Sequence, residues 1–160
     1  MSDTPKYLEQ FERVKRFYQR IKEIDEGRTH DRLSDFYYDV ILMFFMNCHH
    51  LKDWIKNDES LPGPTRKKAE TIVTDNECLR YCADIANGVK HLKLAKTRRF
   101  EDDIQKGPTE YKLDLSGDGK NNTPIISAKF TYIKNGQVTD AFTLATQCLQ
   151  KWEELVQKIE

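Results

Sequence analysis

Glu77–Leu94 reads ECLRYCADIANGVKHLKL, and the fold turns on how this stretch is read. Side chains three and four positions apart share one face of an α-helix. Cys78, Cys82, Ile85, Val89 and Leu92 recur at that spacing and predict an apolar stripe. Along the opposite line stand Arg80, Asp84, Asn87 and His91: a cation, a carboxylate, an amide and an imidazole. The spacing predicts an amphipathic helix whose polar edge either binds a ligand or ties the helix to a polar neighbour.

Upstream, Ser60–Pro64 (SLPGP) holds two prolines and a glycine and predicts a loop, after which Thr65 caps a short helix reaching about Val73. Asp75 or Asn76 then caps the Glu77 helix. Farther upstream, Asp31–Asn57 predicts a long central helix, and Val40–Met46 is apolar on every side, as a middle buried all round requires. Asn47, Cys48, His49, His50 and Asp53 follow that run. Burying such groups costs about 1 to 3 kcal/mol each unless they are hydrogen-bonded, so partners are expected wherever they point inward. Thr4-Pro5 opens the first helix and Gly27 stops it. Between them Tyr7, Phe11, Val14, Tyr18 and Ile21 step by four and three. The outer side mixes Arg13, Lys15, Arg16, Arg20 and Lys22 with Glu9, Glu12 and Glu23, which reads as a solvated face.

Downstream of Leu94 the pattern dissolves into the charged AKTRRFEDDIQKGPTE, read as a mobile connection. The period then changes to two. Tyr111, Leu113 and Leu115 alternate with polar residues, as do Ile126, Ala128, Phe130 and Tyr132, so each series predicts a half-exposed strand. Asn135-Gly136 is a two-residue hairpin signal, and Gln137–Thr139 returns as a third short strand. Thr139 or Asp140 caps a last helix with an apolar stripe of Ala141, Ala145, Cys148, Trp152, Leu155 and Ile159. The predicted architecture is mainly α and a single domain over residues 1–160. Four main helices form an antiparallel bundle at about 20°, with a short extra helix and a small antiparallel β-sheet inserted at about residues 109–139.

Composition bounds the function. A chain of 160 residues buries enough surface to fold without a disulfide or metal staple. Lys and Arg number 26, as do Asp and Glu, which excludes nucleic-acid binding by bulk positive charge and leaves only a local patch. With no signal peptide and no membrane span in the sequence, a cytoplasmic protein with no membrane partner is expected. Cys48, Cys78, Cys82 and Cys148 lie in helical, apolar surroundings and read as structural thiols. A zinc set of Cys48 and His49 or His50 with Cys78, Cys82 and His91 is the alternative. Cys78 and Cys82 at helical spacing look like core instead of a CxxC knuckle, so no metal and no cofactor is expected. Asp114–Gly119 (DLSGDG) mimics half a calcium loop, but Ile125 stands where the twelfth-position glutamate belongs, and a hairpin turn is the reading.

If the second and third long helices are neighbours, His50 and Asp53 on one can share a polar seam with Asp84, Asn87 and His91 on the other. An imidazole beside a carboxylate works as an acid or base near neutral pH, and Arg80 or Lys90 can hold a phosphate. Lys90, Lys93, Lys96, Arg98 and Arg99 form a basic run leaving the same helix. It is accounted for either as favourable charge at a helix C-terminus, worth about 0.3 to 1 kcal/mol, or as a phosphate footprint beside His91.

The helical layout, with Asn87-Gly88-Val89-Lys90-His91 near the end of a core helix, resembles the HEPN family of small helical proteins. That family's signature is an arginine, usually followed by a polar residue, with four to six residues between it and a histidine. Asn87 and His91 match the polar residue and the histidine, while Asp84, Ile85 and Ala86 occupy the positions where the arginine falls. The resemblance implies a metal-independent RNase or nucleotide-binding protein of a bacterial or phage defence or toxin–antitoxin system, commonly a homodimer. In it His91 is acid or base, Asn87 orients the phosphate, and Arg80, Lys90 or Lys93 stabilises charge. The competing expectation is a non-catalytic interaction or dimerisation module, with a partner protein or a second copy, whose polar seam is structural. The missing arginine favours it.

Overall fold

Apolar residues at helical and strand spacing organise the computed structural model, which describes residues 4–90, 104–116 and 123–159. It is mainly helical, with α1 (Lys6–Glu26), α2 (Ser34–Asn57), α3 (Gly63–Asp75), α4 (Glu77–Lys90) and α5 (Ala141–Ile159). The strands are β1 (Arg28–Thr29), β2 (Gln105–Lys106), β3 (Glu110–Asp114), β4 (Ile125–Lys129), β5 (Thr131–Lys134) and β6 (Gln137–Asp140). They form two antiparallel sheets of order β1-β4-β3 and β2-β5-β6. The single sheet expected at about residues 109–139 is corrected by two short partners from outside that span. Arg28 pairs with Ile126, and Gln105 pairs with Ile133. Neither two-residue strand carries a periodic signal of its own.

The alternation Ile126, Ala128, Phe130, Tyr132 is buried throughout, as its period of two demands. Phe130 lies between β4 and β5 and hands the chain from one sheet to the other. Its carbonyl accepts the Ala141 N–H at 2.8 Å, which seats the start of α5. Asn135 (φ 53°) and Gly136 (φ 72°) make the expected tight turn between β5 and β6. Asp140 caps α5 through the Thr143 N–H at 2.9 Å.

α1 begins one residue later than the Thr4-Pro5 signal suggests, and neither residue's side chain caps it. Instead the Asp58 carboxylate, from the loop after α2, accepts the Tyr7 N–H at 3.0 Å. Asp58 is only 4% exposed. Burial pushes its carboxyl up, but hydrogen bonds from the Ser60 hydroxyl and the backbone N–H groups of Tyr7, Ser60 and Lys6 outweigh it and hold Asp58 below the usual carboxylate range. At the other end Gly27 (φ 129°) stops the helix and its N–H returns to Glu23 O at 2.8 Å.

α2 is the central helix and packs on α1, α3, α4 and α5. It starts at Ser34, later than the expected Asp31, and its apolar run is not buried all round: Met43 is 40% exposed. Buried Asn47 finds its partner on α1, where Gln10 Nε2 donates to Asn47 O at 2.9 Å and to Oδ1 at 3.2 Å. The core runs through all five helices and β4 and β5, with Trp152, Tyr7, Tyr37, Phe44 and Phe45 among its largest fully buried side chains. No helix among the described residues is long and apolar enough to cross a membrane.

Candidate functional site

α4 departs from its two-faced reading. Tyr81, Cys82, Ala83, Asp84, Ile85 and Ala86 are buried in succession, because α2, α3 and α5 all pack on α4 and Tyr81 meets the Tyr132 ring of β5. The expected polar stripe is thereby divided. Asp84 is 2% exposed and sits within the core, Arg80 is half-buried and donates to Thr74 O at 2.6 Å, and Asn87 is half-buried. His50 and Asp53 stand on the solvent face of α2. Asp53 has Lys52 3.9 Å away, and Lys52 also reaches Glu70 at 3.3 Å. One half of the seam thus faces solvent while Asp84 faces the interior. His91 and Lys93, with the rest of the basic run and the side chain of Lys90, lie outside the described residues, as does the end of the calcium-like turn from Gly117 on.

What α4 does bring together is its cysteines. Cys48 of α2, Cys82 of α4 and Cys148 of α5 are buried, and their Sγ atoms all lie within 4.8 Å of one another. Each helix contributes one sulfur from the middle of its apolar stripe. Cys82 Sγ also donates to Phe45 O at 3.3 Å, and Cys148 Sγ to Cys78 O at 3.2 Å. The fully buried Trp152 indole nitrogen has no hydrogen-bond partner and neighbours Cys48. Burial pushes the thiols up, as it does for any group that charges on losing a proton. Burial drives Cys82 and Cys148 well above the ordinary thiol range, whereas the polar neighbours Cys148, Cys82 and Trp152 bring Cys48 below it. Cys78, one turn before Cys82 and hydrogen-bonded to Cys148, is half-buried. It lines a pocket of about 270 Å³ together with Tyr81, Lys134, Gln137, Thr139 and Gln147. Cys78 thus connects the buried group of three to the surface. Sequence reasoning assigned them to packing one by one, since nothing in the spacing aligns Cys48 and Cys148 with α4.

A second feature lies at the opposite side of the burial scale. Every residue of β3 is exposed, where a half-exposed strand was expected. Tyr111 pairs with Ala128 and Leu113 with Ile126. Residues directly opposite share a sheet face, so Tyr111 and Leu113 face the same way as two buried residues and yet are 43% and 54% exposed. α1 packs on β4, and β3 lies beyond that cover. Tyr111 meets the Phe130 ring edge-on at 6.0 Å. Burial and then the Asp35 carboxylate push its phenol up, which sets the strand beside the start of α2. There Leu33 (83% exposed) and Phe36 add apolar surface, and the Arg28 guanidinium lies 5.7 Å from the Phe36 ring. β3 is also the outer strand of its sheet, with β4 its sole strand partner among the described residues.

No protein-family model, curated protein or solved structure matches the chain.

Proposed function

We propose that this protein is a non-catalytic interaction module that self-associates through the outer edge of β3, forming a two-fold symmetric pair. The observation that carries this reading is the self-complementarity of Glu110-Tyr111-Lys112-Leu113-Asp114-Leu115 on an edge left open to solvent. A two-fold interface sets the same patch against itself. With the axis at Leu113 in antiparallel pairing, Lys112 of one copy stands opposite Asp114 of the other, and the reverse. On the other face Leu113 meets Leu113, with Tyr111 flanking it on each copy. Opposite charges and apolar side chains set across from one another contribute roughly 0.2 to 1 kcal/mol per pair, and an unpaired edge supplies backbone donors and acceptors that invite a second strand.

Light scattering after size exclusion tests it. The wild type is expected to run as a dimer, and Lys112→Asp or Asp114→Lys alone to run as a monomer, since like charges then face each other. The double exchange restores the pair with its charges swapped and should restore the dimer. A wild type that stays monomeric, or single variants that remain dimeric, ends the proposal.

A second reading is a HEPN-like protein that binds RNA or a nucleotide in the cytoplasm, with α1, α2, α4 and α5 as its antiparallel four-helix bundle. It is favoured by half-buried Asn87 in the last turns of α4, just ahead of His91 and the basic run in sequence. It predicts RNA binding whose logarithm falls with the logarithm of salt by about 0.7 to 0.9 per phosphate neutralised. If Asn87→Ala and His91→Ala change neither RNA binding nor cleavage, this reading fails.

A further inference from the structure

The convergence of thiols from three helices is independent of the β3 surface and asks for an account of its own. A core that needs small apolar fillers is served by alanine or valine, and nothing in helix packing requires three sulfurs to meet. We propose that Cys48, Cys82 and Cys148, with Cys78 completing a tetrahedron from the pocket side, bind a zinc ion. Zn–S bonds are about 2.3 Å long, so a tetrahedral set places its sulfurs roughly 3.8 Å apart. The three buried Sγ atoms, already within 4.8 Å of one another, reach that spacing by small side-chain rotations.

The chemistry around the cluster fits an anionic sulfur site. Zinc takes thiolates, so binding displaces one proton from each of the four thiols to water and changes no oxidation state. The Trp152 indole N–H, fully buried, has no hydrogen-bond partner, and Trp152 is near enough to Cys48 to lower its thiol. N–H donors to ligating sulfurs are the outer contacts that metal–thiolate sites use to hold their charge and geometry. Lys151 acts on Cys78 from the open side and pairs with Glu154 at 3.6 Å, while at the pocket rim Lys134 pairs with Glu77 at 3.6 Å. No imidazole or carboxylate belongs to the group, and an all-sulfur set selects soft, tetrahedral ions over magnesium or calcium. Cys78 also gives the ion a way in. It lines the pocket and its carbonyl accepts the Cys148 thiol, which joins the surface to the buried sulfurs.

Cobalt(II), which absorbs strongly when bound by thiolates, is the probe. The full chain, reduced and stripped of metal, is titrated with cobalt(II) and then with zinc(II). One cobalt per chain with an intense sulfur-to-metal charge-transfer band, bleached by one equivalent of zinc, is the expected result. Cys48→Ala, Cys82→Ala and Cys148→Ala should each lose the band while keeping the helical circular dichroism of the wild type. Cys78→Ser should lower the band intensity by about a quarter, because one of four thiolates is gone. The wild-type titration decides alone if any variant fails to fold. Absence of the band in the reduced wild type, or a band that survives all three alanine variants, overturns the site. An undiminished band in Cys78→Ser overturns the role of Cys78.

Discussion

Asp58-Glu59-Ser60 and Asp114-Leu115-Ser116 make the same turn in opposite surroundings. In each, the aspartate Oδ1 accepts its own serine's N–H at 3.0 Å and also the serine hydroxyl. This is the local bonding that short polar side chains offer at turns. Asp58 then does something that Asp114 does not: its other oxygen caps α1 from across the molecule. The same contrast separates the elements nearby. α4 looks two-faced in sequence and is buried around most of its circumference, whereas β3 looks half-buried and is exposed along its whole length. Local chemistry sets the turn or the period, and what lies across from it sets the energetic weight.

Two leucines give that contrast its largest test. Leu79 of α4 is 2% exposed, so Leu79→Ala should cost about 2 to 5 kcal/mol, read as a lowered denaturation midpoint. Next comes Asp58→Ala, expected to cost about 1 to 3 kcal/mol because buried N–H groups at the start of α1 lose their acceptor. Its pH dependence has a definite sign. The folded carboxyl lies below its unfolded value of about 3.9, so the stabilisation is complete above that pH and is lost as the pH falls through the folded value. Acid titration of stability should therefore be shallower in Asp58→Ala than in the wild type, and equal slopes would contradict the cap. The smallest effect belongs to β3. Leu113→Ala should change the stability of the single chain by no more than about 0.5 kcal/mol, and a loss as large as that of Leu79→Ala would mean that the strand is covered after all.

Much of this architecture is legible in the residues. The steps of Tyr7, Phe11, Val14, Tyr18 and Ile21, the stripe from Ala141 to Ile159, the buried alternation from Ile126 to Tyr132 and the Asn135-Gly136 turn are each local patterns, and each packs on the core or turns as its period requires, with Tyr18 and Ile159 partly buried. What sequence reasoning missed involves partners far apart along the chain. Gln10 meets Asn47, Asp58 meets Tyr7, and Arg28 meets Ile126, with nothing in either member of each pair to announce the other. The cysteine cluster belongs to the same class, since three stripes had to be rotated into register before their sulfurs could meet. The polar stripe of α4 misled because helical spacing fixes which residues share a line but not how many neighbours crowd around the helix. Asp84 shows the outcome, aligned with Arg80 and Asn87 yet enclosed in the core.

The first helix is secured at each end by residues made much later. Its opening turn waits for Asp58, and near its close Asp25 pairs with Lys129 while Arg28 joins Ile126. During synthesis this helix precedes both of its partners, and its two ends acquire their bonds only when the loop after α2 and then β4 have emerged. The helix is in this sense finished long after it is made, and a nascent chain halted before β4 would expose it to chaperones and proteases with one end still frayed.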